Sequence, residues 1–268
     1  MSTGASFFYS TYHHPSRLKL DWIRKFFVRA LNRSAVTGAA KIYHLTRSDF
    51  EKLVIDYPFA PAERFAVLPG GVSPALYTPE PRSSLREKTL LFVGRVDDVR
   101  KGFAVLESAL DELLRDPSFA YKLVVVGTLA TETRQRLEAK YGSSIEVCGR
   151  VTEEELERHY SRAGIFVMPS HYEGFGMPYI EAMRYGLPVI GTNVGGIPEV
   201  VPPDTGILIP AGSPAALVEA IRTLVFDEAR QDALGSAGCE WVKHFYWSQI
   251  VDQLASDYLA ARAANAAG

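Results

Sequence analysis

A chain of 268 residues with 47% hydrophobic and 22% charged residues is composed like a globular protein of at most about two domains, which excludes wholesale disorder and fibrous repeats. Lys+Arg 29 against Asp+Glu 31 leaves a net charge of −2, so no global positive field exists to hold a nucleic acid. Two cysteines, Cys148 and Cys239, are too few for a disulfide framework or a zinc cluster, and no run of about 18 apolar residues offers a membrane span. The opening MSTGASFFYSTYHHPSR lacks the basic flank and long apolar run of a secretory signal, so the expectation is a cytoplasmic protein.

In chain order, Phe7–Tyr12 and Lys41–Leu45 read as strands, and Leu18–Leu31 and Arg47–Asp56 as helices. Two strands and two helices are too little to close a sheet over a good core. The Pro- and Gly-rich stretch Leu68–Arg82 reads as a linker. From residue 89 the pattern changes. Short apolar runs (Leu90–Val93, Leu123–Val126, Ile145–Val147, Ile165–Met168, Val189–Ile190, Leu208–Ile209) alternate with helical periods. The helical stretches are Phe103–Leu114, Glu132–Lys140, Glu153–Arg162, Pro178–Tyr185 and Ala215–Phe226. This alternation predicts a parallel, doubly wound α/β domain covered on both faces. After Gly238 the chain reads as one or two terminal helices. The expected divisions are 1–75, a linker at 76–88, the α/β domain at 89–240 and the terminal helices at 241–268.

Three segments of that domain fall at strand-to-helix turns, the edge where open parallel sheets bind ligands. In GRVDDVRKG, Gly94 and Gly102 let the backbone bend while Arg95 and Lys101 can reach into the crevice, a pair of cations suited to a diphosphate. A solvated loop with its cations paired to Asp97 and Asp98 is the equal alternative. In EGFGMPYIE, Pro178 fits the first helical position, and the GFG turn would aim backbone N–H groups into the crevice. Glu173 and Glu181 repel a diphosphate and suit sugar hydroxyls instead; two acids merely favourable near a helix start is the plainer reading. In TNVGGIPEV, Gly195 and Gly196 could offer anion-binding amides. Neither a strand–GxGxxG–helix fingerprint nor a GxxxxGK[ST] motif occurs, which counts against nicotinamide dehydrogenases and P-loop enzymes.

These segments, in this order over about Leu90–Leu224, resemble the donor-binding half of family 4 retaining glycosyltransferases of the GT-B fold. The likeness rests on G-R-x5-K-G at Gly94–Gly102 and E-x7-E at Glu173–Glu181, joined by PSHYEGFG, EAMRYGLP, GGIPE and TGILIP. The spacing of Arg95 and Lys101 is most similar to that of GDP-mannose-dependent mannosyltransferases, although UDP-sugar enzymes share much of it. The resemblance implies a Rossmann-like domain that moves a hexose from a nucleotide diphosphate sugar (GDP-mannose or a UDP-sugar) to an acceptor hydroxyl, saccharide or lipid-linked, with retention. It implies catalytic roles for His13, Arg95, Lys101 and Glu173. Donor contacts fall to Gly94, Arg150, Val151, Gly174, Phe175, Gly176, Met177 and Glu181: Glu181 on the ribose, the Arg150–Val151 turn around the base. His13 sits in Thr11-Tyr12-His13, similar to a Thr-x-His that ends an acceptor-domain strand. A solitary surface histidine is the alternative. Asp97–Asp98 is not a DxD motif, so the family pattern implies neither a metal ion nor a cofactor.

The same resemblance relates LTRS at Leu45–Ser48, LPGGV at Leu68–Val72 and Phe245-Tyr246-Trp247 to the acceptor-side corner, the interdomain crossover and the start of the returning last helix. Residues 1–75 match only part of an acceptor domain. A fragment, a compact variant, a fold completed by a second copy over the unpaired sheet edge, and a non-catalytic nucleotide-sugar-binding module are the readings this leaves open. Finally, Arg17–Arg33 carries six basic residues against Asp21, with Trp22, Ile23, Phe26, Phe27, Ala30 and Leu31 on a broad opposing face. Such a helix can dock at the inner face of an anionic membrane or be an ordinary core helix with a solvated outer face.

Overall fold

The computed structural model describes Arg33, residues 36–75 and residues 86–266. Phe7–Tyr12, His13, most of the basic helix Arg17–Arg33, and residues 76–85 of the expected linker lie outside the described residues.

The first part of the fold is small. Strand β1 (Ile42–His44) leads through helix α1 (Arg47–Asp56) to β2 (Phe65–Val67), and the two strands pair in parallel with Ile42 opposite Phe65. Val36, Tyr57 and Phe65 form a minor core beneath α1, flanked by Ile42 and Phe50. Strand β2 is absent from the sequence reading: three residues carry too little alternation to stand out from a loop.

The doubly wound domain holds nearly all of the main core. Its strands are β3 (Thr89–Val93), β4 (Lys122–Val126), β5 (Ile145–Gly149), β6 (Ile165–Val167), β7 (Val189–Thr192) and β8 (Gly206–Ile209). All pair in parallel in the order β5-β4-β3-β6-β7-β8. Leu90, Leu91 and Phe92 are wholly buried, as are Ile165 to Val167, because helices cover both faces of the central strands. The helices are α2 (Phe103–Leu113), α3 (Thr131–Tyr141), α4 (Glu153–Arg162), α5 (Met177–Met183), α6 (Ile197–Val200), α7 (Pro214–Val225), α8 (Glu228–Trp241) and α9 (Trp247–Ala266). Boundaries of the elements read from the sequence move by one or two residues, and Pro178 lies at the second position of α5. Because β4 and β6 flank β3 and the chain runs outward on each side, the order reverses between β3 and β6. A crevice opens there at the strands' carboxyl ends.

Two local features depart from the sequence reading for physical reasons. Helix α8 includes Gly235, Ser236 and Gly238, poor helix formers that mask its periodicity. The missing side chains let α8 press onto α5: a Cβ on Gly238 would sit 3.2 Å from Met183 Cγ. Residues 68–75, expected to be linker, are instead held. Val72 is buried, donates to the Phe245 carbonyl (2.8 Å) and accepts from the Trp247 amide (3.1 Å). Ser73 offers its carbonyl to Arg184 Nη1 at 3.1 Å, and Arg184 is itself buried and ion-paired with Glu157, which also accepts from the Tyr185 hydroxyl. On the other side of this seam, α9 reaches β1, where the Tyr43 hydroxyl donates to Asp257 (3.1 Å).

Candidate functional site

The crevice is built first by the loop after β3. Asp97 turns away from it: its carboxylate accepts from the Ala130 amide (2.6 Å) and the Thr133 hydroxyl (2.7 Å), serving as the missing cap of α3. Asp98 takes Arg100 through Nε (2.9 Å) and Nη2 (2.7 Å), and Arg95 through Nη2 (2.8 Å). The Arg100 bonds, helped by the Arg95 charge and opposed by partial burial, hold the Asp98 carboxyl down at about 2. Both carboxylates are thus occupied by donors of the protein. Arg95 stays largely exposed over an open cleft of about 480 Å³, bordered also by Arg100, Thr128 and Leu129. The sequence reading passed over Arg100, although it directly precedes Lys101.

Lys101 ends this loop and crosses the crevice. Its Nζ lies 2.7 Å from Glu173 Oε2, with the two side chains 18% and 16% exposed. Gly102 makes the crossing possible: its φ is +67°, and a Cβ there would overlap the Pro169 carbonyl oxygen at the exit of β6. The Lys101 ammonium has further donor directions open in principle, and the Glu173 carboxylate further acceptor directions, so a ligand could engage both.

From the other wall come Gly174, Phe175, Gly176 and Met177, between β6 and the first turn of α5. Among the described residues, nothing accepts from the Phe175 and Gly176 amides. One of the neighbouring glycines, Gly196, departs from expectation. The Gly196 amide is not open to an anion, because it donates to the Glu173 carbonyl (3.1 Å). Both glycines are needed for closeness: a Cβ on Gly195 would collide with the Glu173 carbonyl and one on Gly196 with the Gly174 carbonyl.

Glu181, one turn into α5, has a neighbour of its own. The Tyr160 hydroxyl of α4 donates to Oε2 at 2.8 Å. Burial raises the Glu181 carboxyl above its ordinary range, the Tyr160 bond opposes that shift, and Glu153 adds to it. Arg150 and Val151 lie just before Glu153, where Thr152 and Glu155 form a reciprocal cap at the start of α4. Gly94 follows β3, its amide bonded to the Val126 carbonyl (2.9 Å). The structure therefore joins Lys101 to Glu173, places Arg95, on the same loop as Lys101, at an open cleft with Arg100, Thr128 and Leu129, and sets Glu181 toward α4; His13 lies outside the described residues. A second cavity, about 320 Å³, lies under α4 among Glu87, Lys122, Glu146 and Arg162. It opens by Thr89 and Lys122, the first residues of β3 and β4, at the opposite end of the sheet.

Residues 87–227, just over half of the chain, match the family model described as glycosyl transferases group 1. The chain belongs to that family. The chain is 32% identical over 260 residues to D-inositol 3-phosphate glycosyltransferase of Corynebacterium efficiens, covering 90% of this chain and 61% of that one. It is 33% identical over 221 residues to the GDP-mannose-dependent alpha-(1-6)-phosphatidylinositol monomannoside mannosyltransferase of Mycobacterium tuberculosis, covering 75% and 57%. The chain thus spans about 55–61% of the length of the curated relatives it first matches. Among solved structures, sucrose-phosphate synthase from Thermosynechococcus elongatus superposes with a TM-score of 0.73 at 28% identity, over 89% of this chain and 62% of that one. Anabaena HepE in complex with UDP and glucose shares the fold (TM-score 0.70, 19% identity), over 88% and 68%. The expected GT-B-type α/β architecture is the one observed.

Proposed function

We propose that this glycosyltransferase moves a hexose from a nucleotide diphosphate sugar to an acceptor hydroxyl, with retention at the anomeric carbon and without a metal ion. The observation that carries the reading is the Lys101–Glu173 pair across the switch-point crevice, its lysine on the same β3 loop that holds the exposed guanidinium of Arg95. As the glycosidic bond breaks, negative charge grows on the departing β-phosphate. Lys101 and Arg95, with the Phe175 and Gly176 amides, suit that charge and would hold it more tightly in the transition state than in the bound donor. Glu173 accepts from a hydroxyl of the hexose and fixes the sugar under the diphosphate. Glu181 takes the ribose, and the turn at Arg150–Val151 frames the base. His13 is assigned a catalytic role toward the donor sugar and its β-phosphate.

The donor is GDP-mannose or a UDP-sugar. The first is supported by the mycobacterial relative, whose name states GDP-mannose dependence, and the second by the HepE complexes with UDP and UDP-glucose. The acceptor is a saccharide or a lipid-linked one. Among the described residues no helix is long and apolar enough to cross a membrane.

Calorimetric titration with GDP and UDP, followed by an assay of GDP-mannose and UDP-glucose consumption, tests the proposal. Binding of one nucleotide with turnover of its sugar donor is expected. Binding without any donor consumption would replace it with a nucleotide-sugar-binding module, and no binding of either nucleotide would overturn both.

A further inference from the structure

We propose that Glu199 is a positioning residue: its carboxylate latches the segment Thr46–Asp49 over the Glu173–Gly176 loop and so sets the closed geometry of the donor-sugar site. Glu199 belongs to the doubly wound domain, yet its partners lie about 150 residues earlier in the chain. Oε2 accepts from the Arg47 amide at 2.6 Å and Oε1 from the Ser48 amide at 2.8 Å. These are the first two amides of α1, which have no acceptor within their own helix, and a negative charge is favourable there. One carboxylate thus joins the N-terminal part of the fold to the donor side by two charge-assisted hydrogen bonds.

The element that carries Glu199 is tied at both ends. Before it, Gly195 and Gly196 lie against the Glu173 and Gly174 carbonyls, with the Gly196 amide bonded to the first. After it, Val200 offers its carbonyl to Trp241 Nε1 (2.9 Å). A displacement of α1 therefore transmits through Glu199 to the backbone of the loop that bears Glu173. The opposing surface is close: a Cβ on Gly196 would also collide with Thr46 Cγ2, and one on Gly174 would lie 3.7 Å from Asp49 Oδ2. Thr46 is buried in this contact. The nucleotide cleft of Arg95, Arg100, Thr128 and Leu129 lies wholly on the donor side and does not involve the latch.

The inference rests on the transferase reading, and its test separates the two. In the full chain, Glu199→Gln replaces one acceptor by an NH₂ group facing an amide N–H, while Glu199→Asp keeps the charge on a shorter arm. With GDP-mannose and UDP-glucose as donors, Glu199→Gln is expected to lower kcat for donor consumption at least about 10-fold, equal to about 1.4 kcal/mol. KM for the donor and Kd for GDP and UDP should stay within about twofold, and Glu199→Asp should recover part of kcat. Hydrogen exchange at the Arg47 and Ser48 amides should accelerate in Glu199→Gln. An unchanged kcat, a nucleotide Kd that weakens in step with kcat, or amides still slow to exchange in Glu199→Gln would each overturn the latch. Wild-type protein that consumes neither donor would overturn the transferase reading, and the exchange measurement would then decide the latch alone: fast amides support it, slow ones refute it.

Discussion

Replacing Lys101 by Met keeps the aliphatic stem and removes the ammonium that faces Glu173. Stability and activity should both respond, in different proportions. An exposed ion pair contributes about 0–1 kcal/mol, and breaking a fully buried one by removing a single partner costs about 3–5 kcal/mol. With the side chains 18% and 16% exposed, the Lys101–Glu173 pair falls between these limits, so the loss is about 2 kcal/mol. A domain of this size tolerates that loss and stays folded. Lys101→Met should also weaken nucleoside diphosphate binding about 10- to 100-fold, because a hydrogen bond to a charged group contributes about 1.5–3 kcal/mol. Turnover of a saturating sugar donor should fall about 10²–10³-fold, as for other preorganised donors to a developing anion. Urea unfolding, calorimetry with GDP and UDP, and steady-state donor consumption measure the three effects. A second variant, Lys101→Met with Glu173→Gln, should regain most of the lost stability and none of the activity. Nucleotide binding within twofold of wild type and unchanged turnover in Lys101→Met would refute the placement of the diphosphate at this pair.

Other outcomes follow from single contacts. Gly102→Ala must place a Cβ at φ +67° against the Pro169 carbonyl, so it should destabilise by at least about 1–2 kcal/mol and weaken nucleotide binding through the displaced loop; calorimetry and urea unfolding measure both. Arg184→Met leaves Glu157 buried without its cation and should cost about 3–5 kcal/mol, and adding Glu157→Gln should restore much of it in urea unfolding. Asp98, held down at about 2 chiefly by its bonds from Arg100, binds a proton less readily in the folded state than its ordinary value of 3.8 allows. Its stabilisation is complete above pH about 4 and disappears as pH falls through about 2. The stability difference between wild type and Asp98→Asn should therefore be flat from pH 5 to 7 and shrink between pH 4 and 2.

The doubly wound architecture was legible in the sequence because its strands are continuous apolar runs and its helices are amphipathic. Each signal is local, spans two to twelve residues and survives without tertiary context. The order of Gly94–Gly102, Glu173–Glu181 and Gly195–Glu199 was equally legible, since a parallel sheet brings successive strand ends to one edge. Less was legible in α8, where glycines needed for close packing on α5 carry a poor helix signal, and in β2, too short for a period.

Pairings between distant residues were a different matter. Sequence spacing put Glu173 and Glu181 eight positions apart on a turn and a helix, but only packing gave one to Lys101 and the other to Tyr160. It turned the Gly196 amide inward to the Glu173 carbonyl, sent Asp97 to cap α3, and brought Glu199 to the start of α1. Residue types and their order determine which groups reach the sheet edge, since backbone periodicity is an intrinsic property of the chain. Which donor meets which acceptor depends on where separate elements come to rest, and that is decided by burial of the shared core and the need to satisfy every polar group enclosed with it.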